Sequence, residues 1–145
     1  MTKKHWLVAI TKDISPAMNM AFDSIMWNIA KANLDTGILR FYTWKPSGVS
    51  LGTNQKPENL VDTDFCKKNN IPVVARITGG SAIFHDKEIT YSFSSANDEK
   101  FFPGPLSSYE KICGALKSGL KKLGVDVQWR GTSVGREPSL TNRDC

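Results

Sequence analysis

No apolar run in this 145-residue chain is long enough to cross a bilayer. The start, MTKKHWLVAI, is basic and then apolar, but TKD cuts the run short, so a secretory leader is not expected. Cysteine is scarce: Cys66, Cys113 and Cys145 are an odd set without C-x-x-C spacing. That argues against a disulfide framework and against a structural zinc, and no metal site is expected. A reducing cytoplasm fits, where a special cysteine acts as a thiol. There are only two histidines. A basic arm is also missing: Lys3, Lys4, Lys67, Lys68, Lys121 and Lys122 are scattered, so the net charge of +5 points to no nucleic-acid interface. It suits an acidic protein partner equally well. Repeats and low-complexity blocks are absent.

What remains is an ordinary globular composition, 40% hydrophobic and 23% charged, enough for one domain with a core. WLVAI (6–10) reads as a strand. SPAMNMAFDSIMWNIAK reads as a helix, with Ser15 as cap and Pro16 at its first position, where the missing N–H is not needed. Met18, Phe22, Ile25, Met26 and Ile29 form its apolar stripe. Gly37 ends the connection, and ILRFYTW follows as a strand. KPSG is a turn and VSLG a short strand. Residues 60–69 are weakly helical, and IPVVARI is a buried strand. In EITYSFSS, Ile89, Tyr91 and Phe93 alternate with Thr90, Ser92 and Ser94, the period of a half-buried antiparallel strand. Ser107 and Glu110 make a capping box. Ile112, Leu116, Leu120 and Leu123 then form a helix face that Gly124 ends, and VDVQW is a last strand. The order β-α-β-β-α-β-β-β-α-β implies an α+β fold with a mixed, largely antiparallel sheet packed with helices. From Arg130 to Cys145 the hydrophobic pattern stops, which is expected of a piece of something longer.

RITGGSAIFHDKEITYSF (76–93) carries the functional question. Gly79-Gly80 between apolar runs reads as a hairpin turn. Arg76 and Thr78 flank the same bare backbone N–H groups, and such a set also makes a nest for a carboxylate or phosphate. His85-Asp86 follows, a polar pair after an apolar strand. LGTNQ (51–55) adds a second glycine turn with two amide side chains.

The whole stretch resembles the signature of the lipoate–protein ligase and octanoyltransferase family. SPAMNMAFDSIM is similar to that family's first helix, including Asn19, Met20, Ala21 and Asp23. LRFYTWKPSGVSLGTNQ is similar to its next strand pair, and SSYEKICGALKSGLKKLGVDVQW to its later helix and strand. The resemblance implies that residues 1–145 are the N-terminal part of one catalytic domain of the biotin/lipoate ligase type. It implies an octanoyl or lipoyl substrate bordered by Arg76, Thr78, Gly79, Gly80, Ser81, Ala82, His85 and Asp86. The partners implied are octanoyl-acyl carrier protein as donor and a lysine on a lipoyl-carrier domain, such as glycine cleavage H protein or a 2-oxoacid dehydrogenase E2, as acceptor. No nucleic acid and no membrane are implied.

The family has two chemistries. Ligases use ATP and magnesium to form an acyl-adenylate. Octanoyltransferases need no cofactor and hold the acyl group on a cysteine. KEITYSF after His85-Asp86 looks more like the transferase form, and NRDC sets Cys145 where similar transferases carry their nucleophile. Arg143 would favour a thiolate there and Asp144 oppose it. Cys113 is expected to pack, Cys66 has no assigned role, and His5 is expected at the surface. His85 either orients Asp86 or a ligand group, or is structural. Trp27, Trp44 and Phe84 either line an acyl tunnel or belong to the core. The resemblance also implies a lysine at the acyl carbonyl, on a strand past residue 145, so this piece alone is expected to be a poor catalyst. A non-catalytic subunit or fragment with the same fold is the remaining alternative.

Overall fold

Residue types that prefer extended backbone alternate with two capped helices to give two small sheets. The computed structural model describes residues 5–96 and 104–128. The chain divides into two units, residues 1–99 and 100–145. In the first, β1 (His5–Ile14), β2 (Thr36–Trp44) and β6 (Thr90–Ser95) form one sheet in the order β1-β2-β6. β3 (Gly48–Leu51), β4 (Val73–Ala75) and β5 (Ile83–His85) form the other, in the order β4-β3-β5. Each sheet holds one parallel and one antiparallel pairing: β1 runs parallel to β2 and β3 to β4, while β6 and β5 lie antiparallel to the central strands. The fold is α+β, as expected.

Helix α1 (Pro16–Ala32) crosses between β1 and β2, and the short α2 (Thr63–Lys68) between β3 and β4. The Ser15 hydroxyl accepts from Met18 N at 3.4 Å and Pro16 opens α1, so its predicted start holds. The predicted stripe holds only at Met26, with Phe22 half-buried. Met18, Ile25 and Ile29 are exposed, and the buried positions are Pro16, Asn19, Met20, Met26 and Ala30. The helix is rotated because its inward face carries polar groups that hold β2, described below.

Three strand expectations are also corrected. β4 is an edge strand with half-buried valines, since among the described residues only β3 pairs with it. In β6 the polar residues take the inward face: Ser92 bonds Asp23 of α1 and Ser94 is buried, while Ile89 and Tyr91 are exposed. Gly37 lies inside β2. The core joins Met20 to Tyr42 and Trp44, with Val74 packed against them.

In the second unit, α3 (Pro105–Lys122) begins on Gly104. The Ser107–Glu110 capping box is replaced by Ser107 and Ser108 hydroxyls donating to Gly104 O at 3.3 and 2.7 Å, because the helix is capped at Gly104, three residues earlier. Ile112, Cys113 and Leu116 share its half-buried side, whereas Leu120 and Leu123 are exposed. Residues 125–128 form no strand, for they enter no ladder among the described residues. No described helix is long and apolar enough to cross a membrane.

Candidate active site

Gly79-Gly80 is not a hairpin turn. β4 and β5 flank β3 on opposite sides, so residues 76–82 must cross over that central strand. Two glycines signal a sharp turn, but which strands pair is settled by partners distant in sequence. Gly80 has φ +100°, a left-handed conformation that glycine accepts readily. The crossing presses this loop onto the 51–55 turn: Thr53 N donates to Thr78 O at 3.0 Å, and Gln55 Oε1 accepts from Gly52 N at 2.9 Å. A Cβ on Gly52 would stand 2.2 Å from Gly80 O, so only glycine fits.

Arg76 braces the loop. Its Nη2 donates to Gly79 O and Ser81 O at 2.9 and 2.7 Å, and its Nη1 to Ser50 O and Oγ at 3.0 and 3.1 Å. The guanidinium is thus engaged by protein oxygens.

Beside the loop lies a cavity of about 320 Å³, at the small end of ligand pockets. Apolar walls come from Trp27, Trp44, Ile77 and Ile83; Asp23, Ser50, Arg76, Thr78 and His85 supply polar groups. The cavity therefore gathers Arg76, Thr78 and His85 from the expected site residues. Gly79, Gly80, Ser81 and Ala82 belong to the loop but not to this wall. Asp86 faces a second cavity with Lys45 and Glu88, and bonds Ser47 Oγ. Cys145 lies outside the described residues. Of the aromatic candidates, Trp27 and Trp44 line the cavity, whereas Phe84 is exposed.

His85 is 4% exposed and does not orient Asp86. Its Nδ1 meets Glu88 Oε1 at 2.6 Å and its Nε2 meets Ser50 Oγ at 2.7 Å. The intervening turn, with Lys87 at φ +44°, brings Glu88 back to the imidazole. Ser–His–carboxylate chains serve nucleophilic catalysis in other folds. Here Ser50 is 1% exposed and its oxygen already accepts from Arg76, so the arrangement is suited to holding the wall.

Periodicity missed a second polar cluster. Arg40 of β2 is 1% exposed, and its guanidinium reaches Asn19 Oδ1 at 2.5 Å, Asp23 Oδ1 at 3.1 Å and Thr11 Oγ1 at 2.8 Å. Asp23 also accepts from Tyr42 Oη and Ser92 Oγ at 2.9 and 2.7 Å. Burial, and after it the Asp23 carboxylate, pushes the Tyr42 phenol well above its ordinary pKa. Because Asp23 lines the cavity, this cluster forms its inner polar wall. An arginine within the apolar run ILRFYTW was the available signal. Among the described residues, no three His, Cys, Asp or Glu side chains group to hold a metal ion.

The model of the lipoyl protein ligase A/B catalytic domain matches residues 15–142. The chain belongs to that family. It is 38% identical over 136 residues to octanoyltransferase LipM of Clostridioides difficile, covering 92% of this chain and 50% of that protein. It is 42% identical over 113 residues to LipM of Carboxydothermus hydrogenoformans, covering 77% and 42%. The chain thus spans about half the length of these curated relatives. Among solved structures, a bi-partite lipoate protein ligase from Thermoplasma acidophilum, studied with its E2 lipoyl domain, superposes with a TM-score of 0.72 at 28% identity, over 87% of this chain and 48% of that one. Lipoate-protein ligase A bound with ATP superposes at 0.69 and 28%, over 92% and 53%.

Proposed function

We propose that this chain is the acyl-binding part of an octanoyltransferase of protein lipoylation. The donor is octanoyl-acyl carrier protein, the acceptor a lysine of a lipoyl-carrier domain, and Cys145 holds the acyl group between them. The cavity carries this reading. Aromatic and aliphatic walls suit a saturated chain, and Thr78 beside the Arg76 charge offers a polar end for a carbonyl. The curated LipM relatives, at 32–42% identity, favour the transferase over the ligase chemistry.

The chemistry balances without ATP. The Cys145 thiolate attacks the octanoyl thioester; a C–S bond to Cys145 forms, the bond to the carrier breaks, and the carrier leaves as a thiolate. The lysine amine then attacks the enzyme thioester. An amide forms, the Cys145 C–S bond breaks, and the amine's proton passes to solvent or to the released thiolate. Exchange between thioesters is nearly neutral in energy, so one difficult transfer becomes two easier ones.

The test is intact-mass analysis of the chain after incubation with octanoyl-acyl carrier protein, ATP omitted. One added octanoyl group mapped to Cys145, and absent from Cys145→Ser, supports the transferase. Acyl-AMP formed in a parallel incubation with octanoate, ATP and magnesium, with no thioester in the first, favours the ligase reading, for which the ATP-bound structural neighbour speaks. The absence of both products favours a non-catalytic subunit or an inactive fragment. Passage of the octanoyl group to a lipoyl domain is then followed in the longer polypeptide that contains this chain, where Cys66→Ser and Cys113→Ser should keep most activity.

A further inference from the structure

We propose that Glu88 is a positioning residue of the acyl cavity: it holds His85 as the Nδ1–H tautomer and so aims the Ser50 hydroxyl that helps seat Arg76 and the glycine loop. The consequence for acyl binding rests on the function proposed above; the tautomer does not.

With a neutral imidazole beside a carboxylate, the hydrogen bonds run in one direction. An ionised carboxylate only accepts, so the His85 nitrogen at 2.6 Å from Glu88 Oε1 carries hydrogen. In the neutral imidazole, Nε2 is then an acceptor, and Ser50 Oγ at 2.7 Å must donate to it. With its hydrogen so placed, Ser50 Oγ presents lone pairs to Arg76 Nη1, which donates at 3.1 Å. The other Arg76 nitrogen holds Gly79 O and Ser81 O. From the opposite side, Trp44 Nε1 donates to Thr90 Oγ1 at 2.7 Å, and Thr90 donates to the same Glu88 oxygen at 2.7 Å. Two donor chains therefore converge on one atom, one from the loop and one from the tryptophan of the cavity wall. The opposite tautomer would leave the Nδ1 lone pair facing the carboxylate, and an imidazolium would reverse the Ser50 bond so that Nε2 donates to it. Glu88 itself lies toward the second cavity, with Asp86, Lys87, Lys45 and Asp13, and its side chain is 38% exposed. It thus acts on the acyl cavity only through its neighbours.

Nitrogen-15 NMR of histidine-labelled chain tests the proposal, because only His5 and His85 contribute and His5→Gln assigns them. The expected result is Nδ1–H for His85 in the unsubstituted chain, retained in Ser50→Ala and lost in Glu88→Ala. Octanoate binding, read by calorimetry, should weaken about tenfold in Glu88→Ala, the equivalent of one hydrogen bond's worth of positioning. Glu88→Gln keeps an accepting oxygen and should restore both tautomer and affinity to within about twofold. An Nε2–H tautomer or a doubly protonated imidazolium in the unsubstituted chain overturns the proposal, even if Glu88→Ala does not fold. So does a tautomer that follows Ser50 and not Glu88, or a Glu88→Gln chain as impaired as Glu88→Ala, which would assign the role to charge. If the unsubstituted chain binds no octanoate, the acyl reading of the cavity fails while the tautomer still decides the proposal.

Discussion

The imidazole of His85 lies flat on the indole of Trp44, ring centroids 3.8 Å apart and planes within 10°. Both rings hydrogen-bond toward Glu88, His85 directly and Trp44 through Thr90. Stacking sets their separation and the hydrogen bonds set their rotation. The cavity wall therefore depends on a pair of side chains 41 positions apart in the chain.

Trp44 is buried, and Trp44→Ala should cost about 3–5 kcal/mol, as large aromatic truncations do. Trp44→Phe keeps a stacking ring but loses the N–H that Thr90 accepts, which should cost about 1 kcal/mol plus the smaller ring's lost packing. Urea unfolding of both variants separates the two contributions. Equal losses would show that the indole N–H matters as much as the whole ring.

Much of this fold was legible because its signals are local. Ser15-Pro16 starts α1 where the capping rule places it, and ILRFYTW is β2. The glycine loop was also found, from its composition and its resemblance. What local pattern could not give was pairing and direction. β4 and β5 are close in sequence yet pair with β3 and not each other, so Gly79-Gly80 looked like a hairpin. Periodicity equates apolar with inward. α1 turns Asn19 and Asp23 toward β2, and β6 turns Ser92 toward Asp23 of α1, so both buried faces were misread. The Ser50–His85–Glu88 chain was hidden for a further reason. Its serine lies 35 positions from the histidine, and the adjacent Asp86 was the more obvious acid.

Arg40 should tolerate no substitution of its own kind. Arg40→Lys keeps the charge, but an ammonium lacks the planar fork that serves Thr11, Asn19 and Asp23 together. Arg40→Ala leaves Asp23 without its cation and should destabilise by about 3–5 kcal/mol. Arg40→Lys should recover less than half of that. The measurement is chemical denaturation, and full recovery by lysine would show that net charge, not geometry, holds α1 on β2.

Tyr42 predicts a change at alkaline pH. Its phenol is raised in the folded chain, by burial first and then by Asp23, whereas the unfolded chain titrates near the ordinary 10.0. The unfolded state therefore loses this proton first as pH rises. The stabilisation is fully present below about pH 10 and falls away as pH climbs toward the folded value. Tyr42→Phe should start less stable, through the lost bond to Asp23, and lose less stability between pH 9 and 11. Unfolding free energies across that range check it. Parallel curves for the two proteins would assign the alkaline loss to other groups.

The glycines of the two facing turns should behave in opposite ways. Gly52 is buried against the loop, and Gly52→Ala would drive its Cβ into Gly80 O, a backbone atom that cannot move without shifting the crossover. It should destabilise by about 1–3 kcal/mol, the range for overpacking, and weaken octanoate binding in step. At Gly79 a Cβ would meet nothing within 4 Å, and the backbone lies outside the left-handed region. Gly79→Val should leave the unfolding free energy within about 1 kcal/mol. If residues 78–80 border the acyl group, the same substitution fills space the ligand uses and should cost at least tenfold in octanoate affinity. Stability measured by denaturation and affinity measured by calorimetry must then separate at Gly79 and move together at Gly52. Loss of both at Gly79 would make that position structural, and loss of neither would move the ligand away from the loop.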